Sequence, residues 1–261
     1  MRCGISTACF YPQNTLDALK QLADAGVPVT EIFLNTFHEL EDGYVAKLLD
    51  VVQSSGIQVA SLHPFTSAME GFLFATEYQG RFEDGLKMYR RYFEVAKILG
   101  ADKLVFHGDH LYNVEKFALE RYAKNFCILA DAGQEYGVTL CHENVSYCRL
   151  ASPPAVRQIK PLLKNHAAFV LDTKQVQRYG ASVLDMARAM GKDIGHVHIS
   201  DFTSRENCLP PGRGNFNFVP LIQQLKSTGY TGDFVIELYR DGFDTLQDLL
   251  DAMAFLNTLL G

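Results

Sequence analysis

Six apolar, β-rich stretches of this 261-residue chain end on a residue type that can bind a metal ion or move a proton. They read Ser61-Leu62-His63-Pro64, Val105-Phe106-His107-Gly108, Cys141-His142-Glu143-Asn144, Val170-Leu171-Asp172-Thr173, His196-Val197-His198-Ile199 and Val235-Ile236-Glu237-Leu238. Residues two apart in a strand share a face, so Val105 and His107, Val170 and Asp172, and Val235 and Glu237 each pair an apolar inner layer with a polar residue at the strand's end. An isolated carboxylate there would be costly to bury, whereas around a divalent cation its charge is matched. Glu143, Asp172, His198 and Glu237 thus form a candidate ligand set of three carboxylates and one imidazole. Oxygen-rich ligation with one nitrogen suits Mn²⁺, Mg²⁺, Co²⁺ or Zn²⁺. A lone strand-end Asp or Glu reads more readily as a helix N-cap or a salt-bridge partner. The set of four carries the inference, and His196 reads as a structural or supporting neighbour.

The elements that must position these groups are marked by how the helical stretches end. Glycine closes a helical pattern just before an apolar run at Gly26, Gly56, Gly100, Gly137, Gly191 and Gly229, and Asn165 holds the equivalent place in Leu163-Lys164-Asn165-His166. These residues tolerate the left-handed conformation of a helix C-cap. The spacing predicts strands over Cys3–Phe10, Thr30–Asn35, Ile57–His63, Lys103–His107, Val138–Glu143, Ala168–Asp172, Gly195–Ile199 and Phe234–Leu238. Amphipathic segments such as Thr15–Ala25, Tyr44–Ser54, Gly85–Leu99 and Thr245–Leu259 alternate with them. Eight strands each followed by a helix predict a (β/α)₈ TIM barrel, an α/β fold spanning residues 1–261 as a single domain. A dinucleotide-binding sheet is disfavoured because Cys9-Phe10-Tyr11-Pro12-Gln13-Asn14 after the first strand lacks GxGxxG. The long connection Thr66–Gly80 reads as a rim insertion, a lid or an interface, with Phe72, Phe74 and Tyr78 as its aromatics.

Composition narrows the function classes. With 48% hydrophobic and 21% charged residues, the chain is neither disordered nor fibrous. Twenty-four basic residues against 30 acidic ones, a net charge of −6, argue against a nucleic-acid-binding face. No apolar run approaches the roughly 18 residues of a membrane helix. The start, Met1-Arg2-Cys3-Gly4-Ile5, carries no signal-peptide pattern. Six cysteines without a CxxC pair are expected as reduced thiols, and a cytoplasmic location with them.

Taken together, Leu62-His63-Pro64-Phe65, Phe106-His107-Gly108, His142-Glu143-Asn144, Leu171-Asp172-Thr173, His196-Val197-His198-Ile199-Ser200-Asp201, Pro211-Gly212-Arg213-Gly214 and Ile236-Glu237 make the chain resemble the xylose isomerase-like TIM-barrel superfamily over essentially its whole length. That superfamily includes sugar and sugar-phosphate isomerases and epimerases and the type IV apurinic endonucleases. The resemblance implies one catalytic divalent metal on Glu143, Asp172, His198 and Glu237, with Glu143 and Glu237 also serving as acid/base groups. It implies substrate contacts, or further metals as in the endonucleases, at His63 and His107.

The chain departs from the family where Asp-x-x-His gives way to Asp172-Thr173-Lys174-Gln175. Gln175 can hydrogen-bond a substrate hydroxyl but is a poor metal ligand. No histidine follows His198 as the endonucleases require, which makes a trinuclear site and DNA repair remote. Arg149, Arg205 and Arg213 lie on loops expected at the mouth. Arg205 is the best placed to recognise a phosphate or carboxylate, while Arg213 reads as a turn residue and Arg149 as a solvated one. The expected activity is isomerisation or epimerisation of a small ketose, sugar phosphate or related hydroxy-carbonyl compound through an enediolate. The alternatives are a metal-dependent dehydratase of a polyol or dehydroshikimate-type substrate and, more remotely, a non-catalytic sugar-binding barrel. A homo-oligomer is expected by analogy.

Overall fold

A computed structural model describes residues 1–261 and contains a closed barrel of eight parallel strands in sequential order. The strands are β1 (Cys3–Ser6), β2 (Val29–Leu34), β3 (Gln58–Pro64), β4 (Lys103–Phe106), β5 (Thr139–Glu143), β6 (Phe169–Asp172), β7 (Ile194–Ile199) and β8 (Phe234–Ile236). Closure is made by β8 against β1, with Gly4 opposite Val235 and Ile5 opposite Ile236. The long helices are α1 (Thr15–Asp24), α2 (Asp42–Ser55), α4 (Gln79–Leu99), α5 (Leu119–Gln134), α6 (Pro153–Leu163), α8 (Val183–Met190), α9 (Phe218–Ser227) and α10 (Leu246–Leu260). Two shorter ones, α3 (Glu70–Phe74) and α7 (Thr173–Tyr179), sit on loops at the barrel mouth.

Local chemistry sets the helix boundaries. The Asn14 side chain accepts from Leu16 N–H at the start of α1, and Ser152 accepts from Ala155 N–H ahead of Pro153 at the start of α6. Thr245 and Asp248 form a capping box on α10. The C-terminal glycines all have positive φ, as their placement predicts, but Asn165 does not share that role. Lys164 takes the positive φ, at 53°, and the chain turns one residue early into a short 3₁₀ segment.

The first and last strands are shorter than the apolar pattern predicts. Thr7–Phe10 coils into a 3₁₀ turn, and Glu237 lies one residue beyond β8. An apolar run continues as strand only while a neighbour offers ladder partners, and at the mouth the neighbouring chains diverge into loops. Residues 66–80 are folded rather than open: Phe74 is buried against Tyr89 and Phe106, while Phe72 and Tyr78 lie on the surface.

The main core lies between barrel and helices, with Phe93, Phe106, Phe126, Phe169 and Phe234 fully buried. A second, small cluster of Val105, Cys141 and Val170 is separate from it and fills one side of the barrel's interior. All six cysteines are free, and no helix is long and apolar enough to cross a membrane.

Candidate active site

The C-terminal ends of β5 to β8 bring four side chains to one point. Ligand atoms of Glu143, Asp172, His198 and Glu237 lie within 4.8 Å of one another, and the first three side chains are almost wholly buried. Asp172 reconciles two readings of a strand-end aspartate. Its Oδ1 accepts from Gln175 N–H at 3.0 Å and caps α7, while its Oδ2 is buried without a hydrogen-bond partner. Glu143 Oε2 and His198 Nδ1 are likewise buried without a hydrogen bond, although His107 Nε2 comes within 3.0 Å of the first. Three buried atoms from three strands that face one another without hydrogen bonds cost free energy, which a cation held among them would offset. The donor set of three carboxylates and one imidazole therefore fits a divalent ion.

A cation the sequence reading did not assign stands beside this cluster. Lys174, on the first turn of α7, donates to Glu237 Oε2 at 2.6 Å and lies 3.4 Å from Asp172 Oδ2, with its ammonium 4.8 Å from the centre of the Tyr239 ring. Burial opposes the charge on Lys174, but Asp172 and Glu237 outweigh it and hold its pKa well above the ordinary value. Burial alone would raise all three carboxyl groups. It wins at Asp172, pushed up to about 7, while Lys174 and His198 hold Glu237 below the usual range and His107 and its neighbours do the same for Glu143. Three carboxyl groups thus share one ammonium and one imidazole, a concentration of negative charge that suits a divalent ion.

His63 and His107 flank Glu143. Their Nε2 atoms are 3.0 Å apart, and His107 Nε2 is 3.0 Å from Glu143 Oε2. Gly108 follows His107 at φ 81°, where an added Cβ would lie 2.0 Å from Tyr122 Oη. Its N–H donates to buried Glu70, which Tyr89 also holds, so the end of β4 is clamped.

A cavity of about 440 Å³ opens over these groups, within the usual size range of small-molecule sites. His63, His107, Glu143, Lys174, Gln175 and Glu237 provide its polar floor, and Phe33, Phe65, Tyr147 and Tyr239 are among its apolar walls. Gln175 uses its Oε1 to accept from Ser146 N–H at 3.1 Å, which leaves its amide NH₂ for a ligand.

Every sequence-predicted site residue but one therefore converges here. Arg205 is exposed and is not part of the cavity wall. The reason is Asp201, whose two oxygens accept from the N–H groups of Phe202, Gly212, Gly214 and Phe216 and fold the loop after β7 back on itself. The same closure makes Arg213 an exposed turn residue paired with Asp248. Arg149 is not solvated: it is buried against Asp109 at 2.7 Å and over the Tyr122 ring.

The profile of the family described as xylose isomerase-like TIM barrel matches residues 19–259. The chain belongs to that family. Inosose isomerase of Halalkalibacterium halodurans is 22% identical over 216 residues, covering 77% of this chain and 73% of its own. Among solved structures, a D-tagatose 3-epimerase-like protein superposes with a TM-score of 0.82 at 18% identity, covering 100% of this chain and 97% of its own. An IolI protein with a bound zinc atom superposes with a TM-score of 0.74 at 19% identity, covering 99% and 96%.

Family membership does not by itself point to the two most telling additions to the site, Lys174 and Glu31. Glu31, buried in β2, accepts from His198 Nε2 at 2.9 Å. The signal for Glu31 was present, since a glutamate inside Val29-Thr30-Glu31-Ile32-Phe33-Leu34 breaks an apolar strand on the face shared with Phe33. For Lys174 the departure from Asp-x-x-His was visible, but not the direction of its side chain.

Proposed function

We propose that this protein is a divalent-metal-dependent isomerase or epimerase of a small, uncharged ketose or related hydroxy-carbonyl compound. The observation that carries the reading is the convergence of Glu143 Oε2, Asp172 Oδ2 and His198 Nδ1, buried without hydrogen bonds, beneath a cavity that Glu237 also lines. Glu143, Asp172, His198 and Glu237 would hold the ion, which when bound supplies Lewis-acid polarisation of a substrate carbonyl. Similarity to a tagatose 3-epimerase-like structure and to an inosose isomerase supports carbohydrate chemistry of this class.

Glu237 is the group placed to take a proton from the carbon next to the carbonyl. Its Oε2 faces Lys174 and His198 Nδ1, on the side where the ion would be held, which leaves Oε1 for the substrate. As the C–H bond breaks, its electron pair forms the carbon–carbon double bond of an enediolate. Glu143 stands on another strand of the same mouth, flanked by His63 and His107. Carrying a proton passed to it by the flanking His63 or His107, it returns that proton either to the neighbouring carbon, with a hydroxyl proton moving between the two enediolate oxygens, which isomerises the sugar, or to the opposite face of the same carbon, which epimerises it. The two histidines and the free amide of Gln175 are positioned to hold hydroxyl oxygens. Proton transfer of this kind contributes about 10²–10⁴-fold, so charge stabilisation must supply the larger share.

The composition of the cavity wall supports a substrate without a charged group. It contains no arginine, and its ammonium, on Lys174, is already engaged by two carboxylates. A phosphate would lie beside Glu143 and Glu237 with no arginine and no unengaged lysine in the wall to hold it.

The decisive assay incubates the protein with Mn²⁺ and a panel of free ketoses in D₂O and follows deuterium entering the product. Glu237→Gln should lower turnover by at least about 10²-fold while the circular dichroism spectrum is unchanged. Wild-type-like rates in that variant would remove the mechanism. Loss of water from the substrate, seen as a new enone absorbance, would move the assignment to a dehydratase.

A further inference from the structure

Beneath the candidate metal centre lies a hydrogen-bonded group that has no part in the chemistry above. Glu31 enters the barrel from β2 and is fully buried, as are Ser6 on β1 and Ser61 on β3. Ser6 donates to Glu31 Oε1 at 3.0 Å, and Ser61 donates to Oε2 at 2.7 Å. His198 reaches the same Oε2 from β7 on the far side of the barrel, Nε2 to Oε2 at 2.9 Å. His196, one layer lower on β7, lies 3.0 Å from Ser61 Oγ and 3.4 Å from Glu31 Oε2.

This group is not a second metal site. Both oxygens of Glu31 already accept from hydroxyl donors, and the buried His198 atom left without a partner is Nδ1, not Nε2. An ionised carboxylate can only accept. His198 Nε2 must therefore carry a proton in this contact, and its Nδ1 is turned toward Glu143 and Glu237, 3.8 and 3.6 Å away.

We infer that Glu31 is a positioning residue for the metal centre: it holds the Nε2–H of His198 and so presents Nδ1 to the ion. Ser6 and Ser61 in turn fix the two oxygens of Glu31, so the orientation is set by three further strands. A carboxylate bonded to the far nitrogen of a ligating imidazole fixes the tautomer and strengthens the ligand, and its loss typically lowers metal affinity 10–100-fold. The inference rests on the metal reading of the site, and the experiment separates the two.

Co²⁺ binding is titrated by visible absorbance with wild-type protein and Glu31→Gln, each checked for intact fold by circular dichroism. The variant should bind Co²⁺ 10–100-fold more weakly and shift the absorbance band. Binding within twofold of wild type by a folded variant overturns the inference and leaves the metal reading standing. A wild-type protein that binds no Co²⁺ overturns both. Should the variant not fold, ¹⁵N-histidine NMR of Zn²⁺-loaded wild-type protein gives the answer directly. His198 must show a protonated Nε2 and a metal-bound Nδ1, and the reverse assignment overturns the inference.

Discussion

The interior of the barrel has two unlike halves. Under Glu143 and Asp172, the side chains of Val105, Cys141 and Val170 pack against one another and offer no polar atom beyond a thiol. Under His198 and His63, the same depth is occupied by Ser6, Glu31, Ser61 and His196 joined by hydrogen bonds. The apolar half leaves Asp172 to burial, and its pKa is pushed up to about 7. In the polar half, Glu31 and Glu237 charges outweigh burial and hold His198 well above the ordinary histidine value. The lesson is that a ligand set needs two kinds of support. Burial over an apolar floor raises the Asp172 carboxyl, whereas the nitrogen an imidazole presents is set by the acceptor bonded to its other nitrogen.

The largest expected effect breaks the comparison from its polar side. Glu31→Ala strands two hydroxyls and an imidazole, and should cost about 3–5 kcal/mol in urea denaturation. Val170→Ala in the apolar half removes two methyl groups and should cost about 2 kcal/mol. Equal losses would mean that the hydrogen-bonded group is not a distinct structural unit. Next in size, Mn²⁺ at 100 times its Kd should stabilise wild type and Val170→Ala alike by about 2.7 kcal/mol in thermal unfolding, and Asp172→Asn by far less. Stabilisation of Asp172→Asn to the same extent would place the ion elsewhere.

A smaller effect lies in pH. Metal ligands bind deprotonated, so Mn²⁺ affinity should climb at least roughly tenfold per unit as pH rises toward the Asp172 pKa of about 7, and keep rising above it while His198, also held above its ordinary value, loses its proton. A flat profile between pH 5.5 and 8 would show that burial does not govern this ligand. Smallest of all, Arg205→Ala should leave kcat/KM within about twofold, because its guanidinium lies outside the cavity. A large rise in KM would return that loop to the substrate site.

Legibility in the sequence followed the range of the interactions. The four candidate ligand positions could be read because alternation along a strand and placement at its C-terminal end are local properties, visible in Val170-Leu171-Asp172 or Val235-Ile236-Glu237. Helix caps were legible for the same reason, except at Asn165, where two adjacent residues could each take the turn and Lys164 did. Arg205 misled because the direction of a loop depends on Asp201 gathering four N–H groups from as far as Phe216.

The sequence by itself determined an eight-unit parallel barrel and the residues at its mouth, since periodicity and glycine placement act over a few residues at a time. Tertiary structure alone decided that Glu31 would meet His198 across 167 positions, and that Lys174 would fold back to Glu237. Those pairings depend on the barrel's radius and stagger, which no local pattern encodes, because they exist only once the eighth strand has closed on the first.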